Sequence, residues 1–139
     1  MKIYLYFIGR PKDANANSLA QEYMDRANRF TPSVMTEVKP ERFDPWEKHP
    51  TARKIALDPP GKLLDSSAFS KLFSTAEMQG HDLVFLIGGH DGLPDTWRSK
   101  ADLLLSLGPM TLPHELARAV LAEQIYRAFT ILRNHPYQR

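Results

Sequence analysis

The chain has no cysteine among its 139 residues. That excludes disulfide staples, thiolate-bound zinc and thiol nucleophiles, and it suits a reducing cytoplasm. Excess charge is scarce too. Lys and Arg total 18 against 16 Asp and Glu, a formal charge of +2, too weak to argue for nucleic acid as a partner. The tilt along the chain is compatible with one: eleven basic and eight acidic residues stand up to Lys62, seven and eight after it. No apolar run reaches membrane length. The opening MKIYLYFIGRPK is too short to span a bilayer and lacks a signal-peptide cleavage pattern, so the expectation is a cytoplasmic protein with no membrane partner. Metal-ligand spacing is missing among His49, His81, His90, His114 and His135, and no metal is expected. There is no G-x-S-x-G elbow and no evident carboxylate pair, so serine hydrolysis and glycoside hydrolysis lose their usual signatures.

What is present reads as one α/β domain over 1–139, without repeats or linkers. Residues 3–9, IYLYFIG, predict a buried strand, and 17–30 a helix with Leu19, Tyr23, Ala27 and Phe30 at helical spacing. Residues 33–39 alternate as a half-exposed strand does. The proline-bearing stretch 40–52 reads as a loop with room for one helical turn. A short strand over 52–58 is followed by a turn, PPGK. A helix over 66–80 is expected to face inward with Ala68, Leu72 and Met78. HDLVFLIGG (81–89) holds the most apolar run and predicts a central strand covered on both faces. A short helix over 93–101, a buried strand over 102–107 and a long helix from Pro113 to Arg133 complete the pattern. Alternating strands and helices argue for a layered domain on a mainly parallel sheet.

In such sheets ligands bind beyond the carboxyl ends of the strands. Three strands end here in glycine- and proline-bearing loops: LDPPGK, IGGHDG and SLGPMTLPH. GGHDG lacks the lysine of a phosphate loop and the spacing of a dinucleotide fingerprint. It reads either as a tight strand-to-helix turn or as main-chain groups facing a small polar ligand. The closing helix gathers Glu123, Arg127, Thr130 and Asn134 into one polar stripe, with most of the remaining circumference apolar. An arc that wide needs cover on two sides, from a second copy packed about a two-fold axis or from the chain's own N-terminal helix. Arg118 lies opposite the stripe and must be paired, reach an edge or serve a ligand. We read it as a substrate-binding residue at the edge of a dimer, facing an anionic partner.

IGG-x-x-G (87–92), S-L-x-x-M-T-L-P-H (106–114), R-x-x-L-x-E-Q-x-Y-R-A (118–128) and the closing Asn-x-Pro-Tyr (134–137) together resemble one family across nearly the whole chain. It is that of the small bacterial pseudouridine N3-methyltransferases of large-subunit ribosomal RNA, in the SPOUT class. The resemblance implies a three-layer α/β fold with a C-terminal trefoil knot, a homodimer, and S-adenosylmethionine as methyl donor. Position by position it implies donor contacts at Leu57, Gly89, Gly108, Pro109, Met110, Thr111, Leu112 and Pro113. It further implies that the tail, 134–139, reaches the partner subunit's site. There Tyr137 would hold the flipped base, and Arg139 would contact a phosphate or carbonyl. His114 is a candidate orienter. The implied substrate is 23S ribosomal RNA within the ribosome or large subunit.

This sequence departs from the family in two places. Gln138 stands where the family tail carries a histidine, and glutamine can hydrogen-bond to substrate but cannot titrate near neutrality. The segment 40–52 is shorter than usual and lacks the family's helix. These departures motivate one alternative, a non-catalytic, ribosome- or RNA-binding relative that keeps the donor pocket; a second is an enzyme acting on a different RNA base, since fold does not fix substrate.

Overall fold

The computed structural model describes residues 1–137. Ten elements alternate along the chain. They are β1 (Ile3–Ile8), α1 (Ala14–Asn28), β2 (Ser33–Val38), α2 (Pro45–Lys48), β3 (Arg53–Leu63), α3 (Ser66–Gln79), β4 (Leu83–Ile87), α4 (Asp95–Lys100), β5 (Leu103–Ser106) and α5 (His114–Leu132). The strands form one sheet in the order β2-β1-β4-β3-β5, and every strand pairing in it is parallel. β4 is central and buried at all five positions, as its unbroken apolar run predicts. Successive side chains of a strand point to opposite faces, so two cores form. Ile3, Leu5 and Phe7 meet α1, α3 and α5 on one face, while Tyr6, Val84 and Leu86 meet Trp46 and Trp97 on the other. That makes three layers, the second helical layer being thin.

Local signals set the helix ends. Asp13 and Asp65 are N-caps, accepting from the backbone N–H of Ala16 at 3.0 Å and of Ala68 at 2.7 Å. Each satisfies one of the first-turn donors a helix leaves orphaned. Gly80 ends α3 in the left-handed region at φ 71°, the usual glycine stop.

Three expectations need correction. In α3 the inward residues are Phe69, Phe73 and Ala76, whereas Ala68 and Leu72 are half-buried and Met78 is 87% exposed. Aromatic burial sets the phase, because Phe73 packs at 5.8 Å on Phe85 and at 5.3 Å on Phe129. In α1 the buried residues are Ala16, Ala20, Met24 and Ala27, with Leu19 exposed; small side chains face α5 because they let the two helices approach closely. Third, β3 does not stop at residue 58. Leu57 and Lys62 both lie opposite Leu105 of β5, so the intervening residues bulge out and the strand resumes. Gly61 permits the return, since a Cβ there would stand 2.7 Å from the Leu104 carbonyl carbon.

α5 runs between α1 and α3 against the sheet. Most of its wide apolar arc is therefore covered by the chain's own helices, and arc width alone does not demand a second copy. Leu116, at 42% exposure, and Ile131, at 43%, remain open on its outer side.

Candidate functional site

The bulge within β3 and the loops after β4 and β5 converge on one cavity of about 280 Å³. Leu57 reaches it from β3, Gly89 from the glycine turn, and Gly108 to Leu112 form the wall ahead of α5, with His114 at the helix start. Pro113 is not among the lining residues. It is the N-cap of α5, and its carbonyl accepts from the Ala117 N–H at 2.9 Å. Asp58, His90, Leu93, Arg98 and Ser106 also line the cavity. Asp58 follows Leu57 directly and could have been named with it. Arg98 lies in α4, and nothing in its sequence neighbourhood points to a site.

The two glycine turns have different physical reasons. At Gly88 a Cβ would lie 2.5 Å from the Gly92 carbonyl carbon, and at Gly89 it would lie 2.7 Å from the Ile8 carbonyl oxygen. The turn is thus packed against itself and against β1, closed by a 3.0 Å hydrogen bond from the Gly92 N–H to Gly89. Gly108 has φ +152°, but nothing lies within 4 Å of where its Cβ would be. Backbone here borders open space. The buried Ser106 shapes that bend, its hydroxyl donating to the Gly108 carbonyl at 3.1 Å and accepting from the Gly108 N–H at 3.2 Å. Apolar walls, exposed main chain and few ionic groups suit a ligand with an aromatic base and an aliphatic arm.

Arg118 is not at an edge. It is fully buried, its guanidinium 3.6 Å from the centre of the Phe7 ring and hydrogen-bonded to Asn17 Oδ1. Burial pulls its pKa down, with the nearby carboxylates of Glu115 and Glu37 opposing. Among the described residues its Nε and second terminal nitrogen have no partner. In this chain Arg118 braces α5 against β1 and α1, through Phe7 and Asn17. Glu115 ties the same corner, accepting from the Lys12 N–H at 2.7 Å, the Asp13 N–H at 3.2 Å and the Asn17 side chain at 2.8 Å. Those hydrogen bonds, led by the one from Lys12, lower the Glu115 carboxyl to about 2.

Tyr137 lies past the far end of α5. Its hydroxyl donates to Glu123 Oε2 at 2.9 Å, and its ring meets Tyr126 edge-on at 4.7 Å. The Arg127 guanidinium lies 4.8 Å from the ring centre and reaches Glu123 at 2.6 Å. The expected polar stripe is therefore the half-buried seat of the tail. Burial, followed by the hydrogen bonds to Tyr23 and Glu123, raises the Tyr137 phenol well above its ordinary value. The tail folds back along α5: Glu123 stands nine positions after His114, about 14 Å along the axis at 1.5 Å per residue, and Tyr137 is not among the residues lining the cavity. Gln138 and Arg139 lie outside the described residues. Thus the fold brings together Leu57, Gly89, Gly108–Leu112 and His114, and leaves Arg118 and Tyr137 apart from them.

The family model described as "Predicted SPOUT methyltransferase" matches residues 1–138. A Solibacter usitatus (strain Ellin6076) protein named ribosomal RNA large subunit methyltransferase H is 66% identical over 139 residues, covering all of both chains. A probable methylase family protein from Haemophilus influenzae Rd KW20 superposes with a TM-score of 0.65 at 12% identity, over 99% of this chain and 70% of its own. An AdoMet-bound rRNA methyltransferase from Sinorhizobium meliloti superposes with a TM-score of 0.55 at 15% identity, over 91% of this chain and 56% of its own. Those two likenesses concern the fold, and the matches over the full chain go further: the chain belongs to the SPOUT methyltransferase family.

Proposed function

We propose that this protein transfers the methyl group of S-adenosylmethionine to N3 of a pseudouridine in 23S ribosomal RNA, acting as a homodimer in the cytoplasm. The full-length, 66% identical relative named for large-subunit ribosomal RNA methylation carries the assignment. Its equal length also means that the short segment 40–52 does not set this chain apart from that relative. The non-catalytic alternative has no comparable support.

The donor supplies a sulfonium methyl that a ring nitrogen can take directly. The protein's task is to align and desolvate the reactants. Leu57 and the Gly108–Leu112 wall would enclose the donor's apolar parts, with main-chain groups at Gly89 and Gly108 meeting its polar edges. A trefoil knot would bring these three loops together, as the family resemblance implies. N3 of the base carries a proton that must leave around the time of transfer. His114, which lines the cavity, would orient or accept it.

Tyr137 is held on Glu123 and does not line the cavity of its own chain, so the composite site would take its tail from a second copy with α5 reversed. The exposed Leu116 and Ile131 give that helix a surface on which to pair. Tyr137, a neutral phenol seated on Glu123, would then present a ring to the flipped base. Gln138 and Arg139 would contact substrate and phosphate beside it.

The test is transfer of labelled methyl from S-adenosylmethionine to large subunits and ribosomes lacking the modification, with the modified nucleotide mapped. Label on a pseudouridine of 23S RNA is the expected result. Donor binding without label on either particle would contradict the assignment.

A further inference from the structure

The face of the sheet opposite α1, α3 and α5 is incompletely covered. Over β1 and β2 the chain supplies only α2 and loop, and Val34 and Thr36 stay exposed. A groove of about 960 Å³ runs there. Its floor is aromatic. Tyr4 and Tyr6 lie with ring planes 12° apart and centroids at 5.9 Å, and Phe43 stands 4.6 Å from Tyr6. The Tyr6 hydroxyl meets His49 Nε2 at 2.7 Å. Burial, then the neighbouring Tyr4, pushes Tyr6 up to about 12, so it stays a phenol, hydrogen-bonded to the imidazole, and fixes the floor.

The rim is basic. Arg10, Lys39, Arg42 and Lys48 line it, and Glu37 is the one acidic lining residue. Among the described residues five ion pairs form, and none uses any of these four cations. Unneutralised cations around half-buried aromatic rings are an arrangement that suits flexible nucleic acid, phosphates taking the charge and bases the rings. The groove also abuts the donor cavity. Arg10 follows Gly9, whose Cα is 3.7 Å from where a Cβ would stand on Gly89.

We propose that this groove holds single-stranded or looped RNA beside the methylated nucleotide. Arg10, Lys39, Arg42 and Lys48 take the phosphates, and a base stacks on the half-buried rings of Tyr4 and Phe43. The inference rests on the reading that ribosomal RNA is the substrate. It assigns this face to the flanking strand and not to the target base. Recognition there follows backbone and stacking, so it is tolerant of sequence.

The experiment compares the natural chain with a triple variant, Lys39→Glu, Arg42→Glu and Lys48→Glu, all exposed positions outside the donor cavity. Binding to purified large subunits is measured across a salt series, donor binding by calorimetry, and methyl transfer under single-turnover conditions. Three lost phosphate contacts on a single strand lower the slope of log K against log salt by about 2. Subunit affinity falls at least tenfold while donor affinity is unchanged. Equal slope and affinity in the two proteins overturn the groove, even where the natural chain methylates normally. Conversely, a groove-dependent slope with no methyl transferred by the natural chain leaves the groove standing and removes the enzymatic reading. Ultraviolet crosslinking identifies the occupant: nucleotide adducts on Tyr4 or Phe43 support RNA, and adducts to a ribosomal protein alone contradict it.

Discussion

The two ends of α5 are built on opposite plans. At its N-terminal end the chain leaves backbone beside open space, with Gly108 unhindered and the bend held by one serine hydroxyl. At its C-terminal end side chains close over one another, with Tyr137 wedged among Glu123, Tyr126 and Arg127. One end is shaped to admit a ligand and the other to hold a residue in place. Glu123 and His114 are nine residues apart on one helix, about 14 Å along its axis, and on the function proposed above each cavity would be completed by the tail of a second chain.

The largest expected effect breaks the open end. Gly108→Phe projects a ring into the cavity from a backbone conformation that favours glycine. It should weaken donor binding by at least ~100-fold, by analogy with overpacking and lost pocket volume, with the fold retained by circular dichroism. At the closed end the outcome should be the reverse. Tyr137→Ala leaves donor affinity by calorimetry unchanged and lowers single-turnover methyl transfer by about 100-fold, the scale of a lost positioning contact. Equal losses of donor binding in both variants would erase the distinction between the ends.

Between the ends Arg118 offers a sharper test of brace against ligand contact. Arg118→Ala leaves Asn17 Oδ1 without its donor and a hole under Phe7. It should cost about 3 kcal/mol in chemical denaturation. Arg118→Met keeps the volume without the charge and should recover most of that stability. Were Arg118 a substrate contact, Met would restore stability and leave transfer impaired.

The smallest effect concerns Glu115. Its carboxyl is lowered from 4.5 to about 2, so it binds a proton more readily unfolded than folded. The stabilisation is complete above about pH 4.5 and is lost as pH falls toward 2. Glu115→Gln should therefore flatten the fall in Tm over that window and leave the neutral limb parallel to that of the natural chain.

Much of this layout is legible in the residues, and the gaps have physical causes. The run of β4, the glycine- and proline-bearing strand ends and the length of α5 are strong signals because each reflects one local constraint. The position of the cavity follows from them, since parallel strands deliver their C-terminal loops to one edge. Helix phase is less legible. The alternative stripes of α1 and α3 differ by one residue, and what decides between them is the partner surface: alanines for close approach to α5, phenylalanines for the rings of Phe85 and Phe129. Arg118 shows the same limit. Its position on the helix is readable, but its place depends on Phe7 and Asn17, both distant in sequence. The bulge in β3 depends on Gly61 meeting Leu104, again a contact across strands. Tyr137 is marked by its motif, yet the seat that holds it is built from Tyr23, Glu123, Tyr126 and Arg127 and emerges only when α1 and α5 pack.

The decisive measurement mixes two defective chains. Gly108→Phe supplies a sound tail without a usable cavity, and Tyr137→Ala supplies the converse. Each alone should be inactive. Co-refolded in equal amounts, random pairing of a two-fold dimer restores about a quarter of the sites, so roughly a quarter of natural methyl transfer should return. No recovery, with mixed dimers demonstrated by mass, would contradict a site shared between the open end of one α5 and the closed end of another.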